Sequence, residues 1–176
     1  MLKAFLQRSS VLVLGILIVG CTSSPSKKPT TPSVPWQQQQ LSKTLPIPVD
    51  GVKKAELRDT WGASRSQGRR HEGIDIFAPR GSKVYSTTDG LVADLRDNTL
   101  GGKVVWIKGP SQSWHYYAHL NAHHAQLKVG DVVQRGQVIG YVGNTGNAKA
   151  TPPHLHYGIY LLGKGRGATN PYPYLR

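Results

Sequence analysis

The chain has 176 residues, with 22 Lys and Arg against 9 Asp and Glu, a formal charge of +13. That length allows one ordinary domain with some appendage, and the basic balance alone suits a nucleic-acid binder or a protein working against an acidic polymer or surface. One cysteine excludes an internal disulfide framework and any zinc or iron–sulfur site built from several thiolates, while 20 Gly and 12 Pro favour an all-β plan with many turns.

The first ten residues carry Lys3 and Arg8 and no acid, and Val11 to Val19 form an uninterrupted apolar run. A membrane-spanning helix needs about 20 apolar residues, so this run is too short to span and has the length and flanks of a secretory signal. It ends in Ile18-Val19-Gly20-Cys21, which resembles a bacterial lipoprotein signal. The resemblance implies that residues 1–20 are removed and that Cys21 carries the lipid, a membrane anchor through the N-terminus. Thr22 follows where an Asp would favour inner-membrane retention. The expected location is therefore the periplasmic face of the outer membrane, where nucleic acid is not a partner. Residues 21–45 read as a Pro/Ser/Gln-rich disordered tether without apolar periodicity, leaving 46–176 for the domain.

Beyond Leu45, short β-type runs recur, each bounded by Gly, Pro, Asn or Asp. They are Lys83–Tyr85, Gly90–Ala93, Lys103–Ile107, Trp114–Ala118, Gln137–Val142 and His154–Leu161. The glycines of Val129–Gly140 are spaced for tight corners between short strands, in the style of barrel-sandwich carrier domains. Such a carrier would need a modified lysine at a hairpin tip, and the turn Gly143–Asn147 offers none. The expectation is one mostly antiparallel β domain.

All seven histidines follow residue 70, and the chemistry gathers in three motifs. The first, His71-Glu72-Gly73-Ile74-Asp75, looks like the opening of a helical H-E-x-x-H zinc motif. Gly73, β-branched Ile74 and Ile76, and Pro79 make it a poor helix. A straight strand would hold the Cα atoms of His71 and Asp75 about 13 Å apart, so a shared ion requires a bend, which Gly73 permits. Without the helix, Glu72 has no reason to be a general base. The second motif, His154-Leu155-His156, puts both histidines on one face of a strand and Leu155 toward the core. The third is Tyr117-Ala118-His119-Leu120, where period-two alternation groups His119 with His115 and Tyr117 on one face. His115, His123 and His124 read as structural.

In this order, and with Val129–Gly143 between the last two motifs, the chain closely resembles the LytM/lysostaphin-type zinc metallopeptidases of bacterial cell walls. The resemblance runs from about Leu57 to Arg176 and includes Gly73-Ile74-Asp75-Ile76-Phe77-Ala78-Pro79 and Asn170-Pro171-Tyr172-Pro173. It implies a compact barrel-sandwich-like domain with a groove holding one zinc ion per chain. It assigns His71, Asp75 and His156 as zinc ligands and His119 and His154 as the catalytic pair. Three protein ligands leave a position for water, as catalytic zinc requires, and the histidine pair would handle the proton and the oxyanion.

Two departures stand out. Ala150-Thr151-Pro152-Pro153 precedes His154 where many relatives have Gly before the Pro, and Arg65 or Ser66 stands where Gram-positive relatives carry a tyrosine. Arg69 and Arg70 flank the first motif, either to meet wall-peptide carboxylates or simply as solvated arginines. The implied activity is hydrolysis of peptide crosslinks in peptidoglycan, of DD-endopeptidase type, by a monomer. The alternative is a non-catalytic relative that activates wall amidases. Such relatives have lost zinc ligands, whereas this sequence keeps all five positions.

Overall fold

The computed structural model describes residues 35–176. The signal, Cys21 and the first part of the tether lie outside the described residues. The domain is built from nine strands: β1 Ile74–Phe77, β2 Lys83–Tyr85, β3 Gly90–Asn98, β4 Gly102–Lys108, β5 Trp114–His123, β6 Val132–Val133, β7 Val138–Val142, β8 His154–Tyr160 and β9 Ala168–Thr169. Every strand pairing is antiparallel. Helix is limited to single 3-10 turns among the described residues. The all-β expectation from the turn-rich composition therefore holds, and the strand-poor stretches are the Gly- and Pro-punctuated ones.

The main path runs β1-β8-β5-β4-β3-β6, with β7 joining β5 to β2 and β9 lying on β8. Central β5 divides its second edge: Trp114–Ala118 pair with β8, and Leu120–His123 pair with β7. Because side chains alternate, one face of these strands is apolar and sealed. Ile74, Ile76, Val105, Ile107, Leu155 and Ile159 are all 2 % exposed or less. Leu155 points to the core between His154 and His156, as its place in the strand requires.

The stretch 35–45, which composition assigns to the tether, is held on the domain. Leu45 is buried and donates its amide to the Tyr174 carbonyl at 2.7 Å, while its own carbonyl accepts from Arg176 at 2.9 Å. Gln39 bonds Asp89 and the Leu41 amide bonds Ser111. Leu41 packs on the core, so apolar side chains and backbone pairing overrule the polar composition.

Behind the sheet's core face sits a closed polar chain. Ser113 donates its hydroxyl to the Pro110 carbonyl, so it must accept from His115 Nε2 at 2.9 Å. His115 Nδ1 is then an acceptor and takes the Tyr157 hydroxyl at 2.9 Å. Tyr117 accepts from the Thr87 amide and so donates to Thr87 Oγ1, which passes its proton to Tyr157 at 2.8 Å. Each donor has an acceptor, which is what allows His115 to be fully buried. Burial pushes its pKa down to about 3. His115 is thus structural, as read from the sequence.

Candidate active site

The two outer strands bring the first and second motifs together through register. Asp75 on β1 is directly opposite His156 on β8, and Phe77 is opposite His154. Facing pairs on one side of an antiparallel ladder hold their Cβ atoms about 4.5–5.5 Å apart, so Asp75 and His156 must meet. His71 precedes β1 and turns back onto the same spot, in an extended, non-helical segment. Gly73 lies at the bend, and its role is room. A Cβ there would fall 2.8 Å from Cε1 and Nε2 of His156 and 2.5 Å from the Tyr157 carbonyl oxygen.

The resulting triangle is tight. His71 Nε2 lies 3.0 Å from Asp75 Oδ1, His156 Nδ1 lies 3.2 Å from the same oxygen, and the two nitrogens are 2.8 Å apart. A tetrahedral zinc shell of about 2.0–2.2 Å radius has edges of about 3.3–3.6 Å, close to these separations. His71 Nδ1 is bound to the Thr60 carbonyl at 2.8 Å, which makes it the N–H and leaves the lone pair on Nε2. Two imidazoles and a carboxylate, with one ring fixed by a backbone carbonyl, are a donor set and outer shell that fit zinc. Burial favours the neutral acid for Asp75. The adjoining imidazoles, His156 before His71, outweigh it and hold the carboxyl well below its usual range. Burial, foremost, lowers the pKa of His156 despite its bond to Asp75.

His119 reaches this cleft by a route the sequence does not announce. Alternation puts it on the core face with His115 and Tyr117. The structure instead inserts an extra residue in β5: Lys103 to Val105 on β4 faces Leu120 to Tyr117. His119 has φ of +62° within that bulge, which turns its ring to the cleft side. The loops on either side secure it. Its amide donates to the Gly101 carbonyl at 2.8 Å, and its Nδ1 donates to the Thr145 carbonyl at 2.9 Å. His154 is fixed alike, Nδ1 to the Pro152 carbonyl at 2.9 Å. In both rings Nε2 is therefore the nitrogen left for the cleft. The two ring centroids are 5.1 Å apart, and His119 lies 6.0 Å from His156. Burial, and then the neighbouring His156 and His154, push the His119 pKa down to about 4.

All five residues named from the sequence thus line one cleft of about 780 Å³. Glu72 lines its wall, exposed, beside the Tyr160 hydroxyl, whose pKa is raised by burial and by that carboxylate. Sequence reasoning missed three supports. Thr60 holds His71 through its carbonyl and accepts the Asp75 amide at 3.1 Å. Thr145 carries the carbonyl under His119. Arg65 places Nη2 on Asp75 Oδ2. None of these has a local signature, since two hold their rings through backbone carbonyls and the Thr60 hydroxyl and Arg65 reach Asp75 from fifteen and ten residues away.

A match to Peptidase family M23 spans residues 69–171. This chain belongs to that family. It is 43% identical over 140 residues to an L-Ala–D-Glu endopeptidase of Bacillus subtilis, covering 75% of this chain and 42% of that protein. It is 38% identical over 94 residues to the peptidoglycan DD-endopeptidase ShyA of Vibrio cholerae, covering 53% of this chain and 21% of the relative. The chain thus spans less than half the length of these curated relatives. Among solved structures, the catalytic domain of the antimicrobial peptidase lysostaphin from Staphylococcus simulans superposes with a TM-score of 0.60 at 27% identity. That match covers 68% of this chain and 92% of the other.

Proposed function

We propose that this protein is a zinc-dependent endopeptidase that hydrolyses peptide crosslinks of peptidoglycan, of DD-endopeptidase type. One observation carries the reading. The His71–Asp75–His156 triangle and the Nε2 atoms of His119 and His154 share a single cleft in an M23 domain. Zinc held by the triangle would polarise the scissile carbonyl and lower the pKa of a water molecule. The rest is the work of this chain. His119 and His154, anchored at Nδ1 by backbone carbonyls, present Nε2 to the reacting groups. The lowered pKa of His119 keeps its Nε2 lone pair unprotonated at neutral pH. The pair takes a proton from the attacking water and returns it to the leaving nitrogen. The amide C–N bond breaks, and the products are a carboxylate and an amine.

Purified sacculi incubated with the zinc-loaded protein, with and without chelator, test this by mass spectrometry of the released fragments. Loss of crosslinked dimers identifies DD-cleavage, and shortened stems identify cleavage between L-Ala and D-Glu. Intact dimers and stems would overturn the reading. If the protein then stimulated a wall amidase, the activator role would replace it.

The same reading includes a lipid on Cys21 and attachment to the periplasmic face of the outer membrane, on the strength of the Ile18–Cys21 pattern. Metabolic labelling with a palmitate analogue, lost in Cys21→Ser, tests the anchor.

A further inference from the structure

The cleft is chemically polarised along β1. At the strand's far end its walls are apolar: Phe77 and Leu100 stand half exposed, and the Phe77 ring centroid lies 5.2 Å from that of His154. At the near end three arginines line the same cleft, Arg65, Arg69 and Arg70.

These arginines are presented by a built element. The backbone folds into a small hairpin in which the His71 amide bonds the Ala63 carbonyl at 3.0 Å and the Arg65 amide bonds the Arg69 carbonyl at 2.9 Å. Gln67 and Gly68 close its tip with φ of +62° and +68°. The base of the hairpin is therefore a residue of the metal triangle, and its rim carries the positive charge. Arg65 is spent on Asp75 Oδ2. Arg69 gives Nη2 to Ser66 Oγ, and Arg70 gives Nη1 to the Gly62 carbonyl. Neither of these two pairs with an acid among the described residues, and both keep most of their donor forks for a ligand. The cleft's own carboxylates are already engaged, Asp75 by the histidines and Glu72 beside Tyr160.

We propose that this hairpin is a carboxylate-binding subsite, selecting peptides with a free carboxylate one or two residues from the scissile bond. Guanidinium forks match carboxylates bidentately, and these stand beside the ion-binding triangle. The inference rests on the endopeptidase reading and narrows it to acidic peptides.

The test is a matched pair of synthetic peptides that differ only in that carboxylate, free in one and a primary carboxamide in the other. Wild-type protein is expected to prefer the free acid by roughly ten- to a hundredfold in kcat/KM, chiefly through KM, the scale of a charged hydrogen bond. Arg69→Ala should lose most of that preference, the ratio of kcat/KM for the two peptides falling toward one. Arg69→Lys, a charge without the fork, should keep part of it. Equal cleavage of both peptides by wild type overturns the proposal, and so does a preference that survives in the Arg69→Ala/Arg70→Ala double variant. If the wild type cleaves neither peptide nor sacculi, the endopeptidase reading has failed and the subsite falls with it.

Discussion

Tyr117 and His119 lie two residues apart on β5, yet their side chains leave the sheet on opposite faces. The Tyr117 hydroxyl is sealed against Thr87 in the core, while the His119 ring lines the cleft 5.1 Å from that of His154. A regular strand cannot do this, because residues i and i+2 share a face. The extra residue between the pairs Val105–Tyr117 and Lys103–Leu120, with His119 in the left-handed region, re-aims the ring. A left-handed backbone costs a non-glycine residue about 1–2 kcal/mol, and here the cost falls on a residue assigned to the chemistry.

That geometry yields a reversed order of stabilities at position 119. Ala normally outranks Gly in a folded chain, but at φ of +62° glycine escapes the Cβ penalty. His119→Gly should therefore unfold at higher urea concentration than His119→Ala, by about 1 kcal/mol in the free energy of unfolding. Both variants should lose about two to four powers of ten in kcat/KM, the range of a positioned acid–base group. Urea unfolding followed by fluorescence checks the first claim and fragment release from sacculi the second. An Ala variant more stable than the Gly variant would refute the strained conformation.

What could be read from the sequence follows the range of the forces involved. The runs around Lys83–Tyr85, Lys103–Ile107 and His154–Leu161 fall on β2, β4 and β8, because period-two patterning is local. β6 and β9 are two-residue pairs whose existence depends on partners distant in the chain. β1 overlaps the His71–Asp75 motif, and its four residues, Ile-Asp-Ile-Phe, carry only two periods of the alternation of a half-buried strand. The convergence of His71, Asp75 and His156, whose donor atoms lie within 4.8 Å of one another, was legible through residue types and family resemblance. The facial position of His119 was not, since a bulge is set by cross-strand register. Thr60 and Thr145 hold the two rings through carbonyls, which any residue type carries, and their hydroxyls bond amides distant in sequence, Thr60 that of Asp75 and Thr145 that of Lys103.

Gly73 supplies a test of packing at the triangle. The His156 ring edge and the Tyr157 carbonyl occupy the space a Cβ would need, and would lie 2.8 and 2.5 Å from it. Backbone cannot yield cheaply, so in Gly73→Ala the His156 ring must shift from its place opposite Asp75. The expected cost is about 1–3 kcal/mol of stability, as for overpacked cores, with a larger proportional loss in zinc affinity. Competition with a chromophoric chelator measures the affinity. A variant that binds zinc as tightly as wild type would show that the glycine serves only the chain's path.

Zinc should stabilise the folded domain specifically through the triangle. A ligand that binds only the native state adds about RT ln(1 + [L]/Kd), roughly 2.7 kcal/mol at a hundredfold excess over Kd. Chelation should lower Tm and one equivalent of zinc should restore it. His156→Ala should be insensitive to both treatments, since it removes one apex of a site whose three donors lie within 4.8 Å of one another. Thermal scans with plasma-emission metal counting decide this. A zinc-dependent Tm in the His156→Ala variant would place the ion elsewhere.

His115 predicts an acid limit of stability that has nothing to do with the metal. Burial takes its pKa from an ordinary 6.5 down to about 3, and its neighbours stay neutral there, with Tyr117 pushed up to about 12 by burial. The folded value lies below the unfolded one, so between pH 6.5 and 3 the unfolded chain binds a proton that the native protein refuses. Stability is then complete above 6.5 and falls with acidification, by about 1.4 kcal/mol per pH unit for one such group. His115→Gln keeps an amide donor and acceptor but cannot titrate. It should be less stable at pH 7, because the chain from Tyr117 through Thr87 and Tyr157 to Ser113 is rebuilt imperfectly. Its stability should also decline less steeply between pH 6.5 and 3, by the equivalent of one proton. Urea titrations of both proteins at several pH values give the two slopes, and the difference isolates His115 from the carboxylates common to both. Parallel slopes would mean that the imidazole accepts a proton in the folded core, against its burial and against the donation of the Tyr157 hydroxyl to Nδ1.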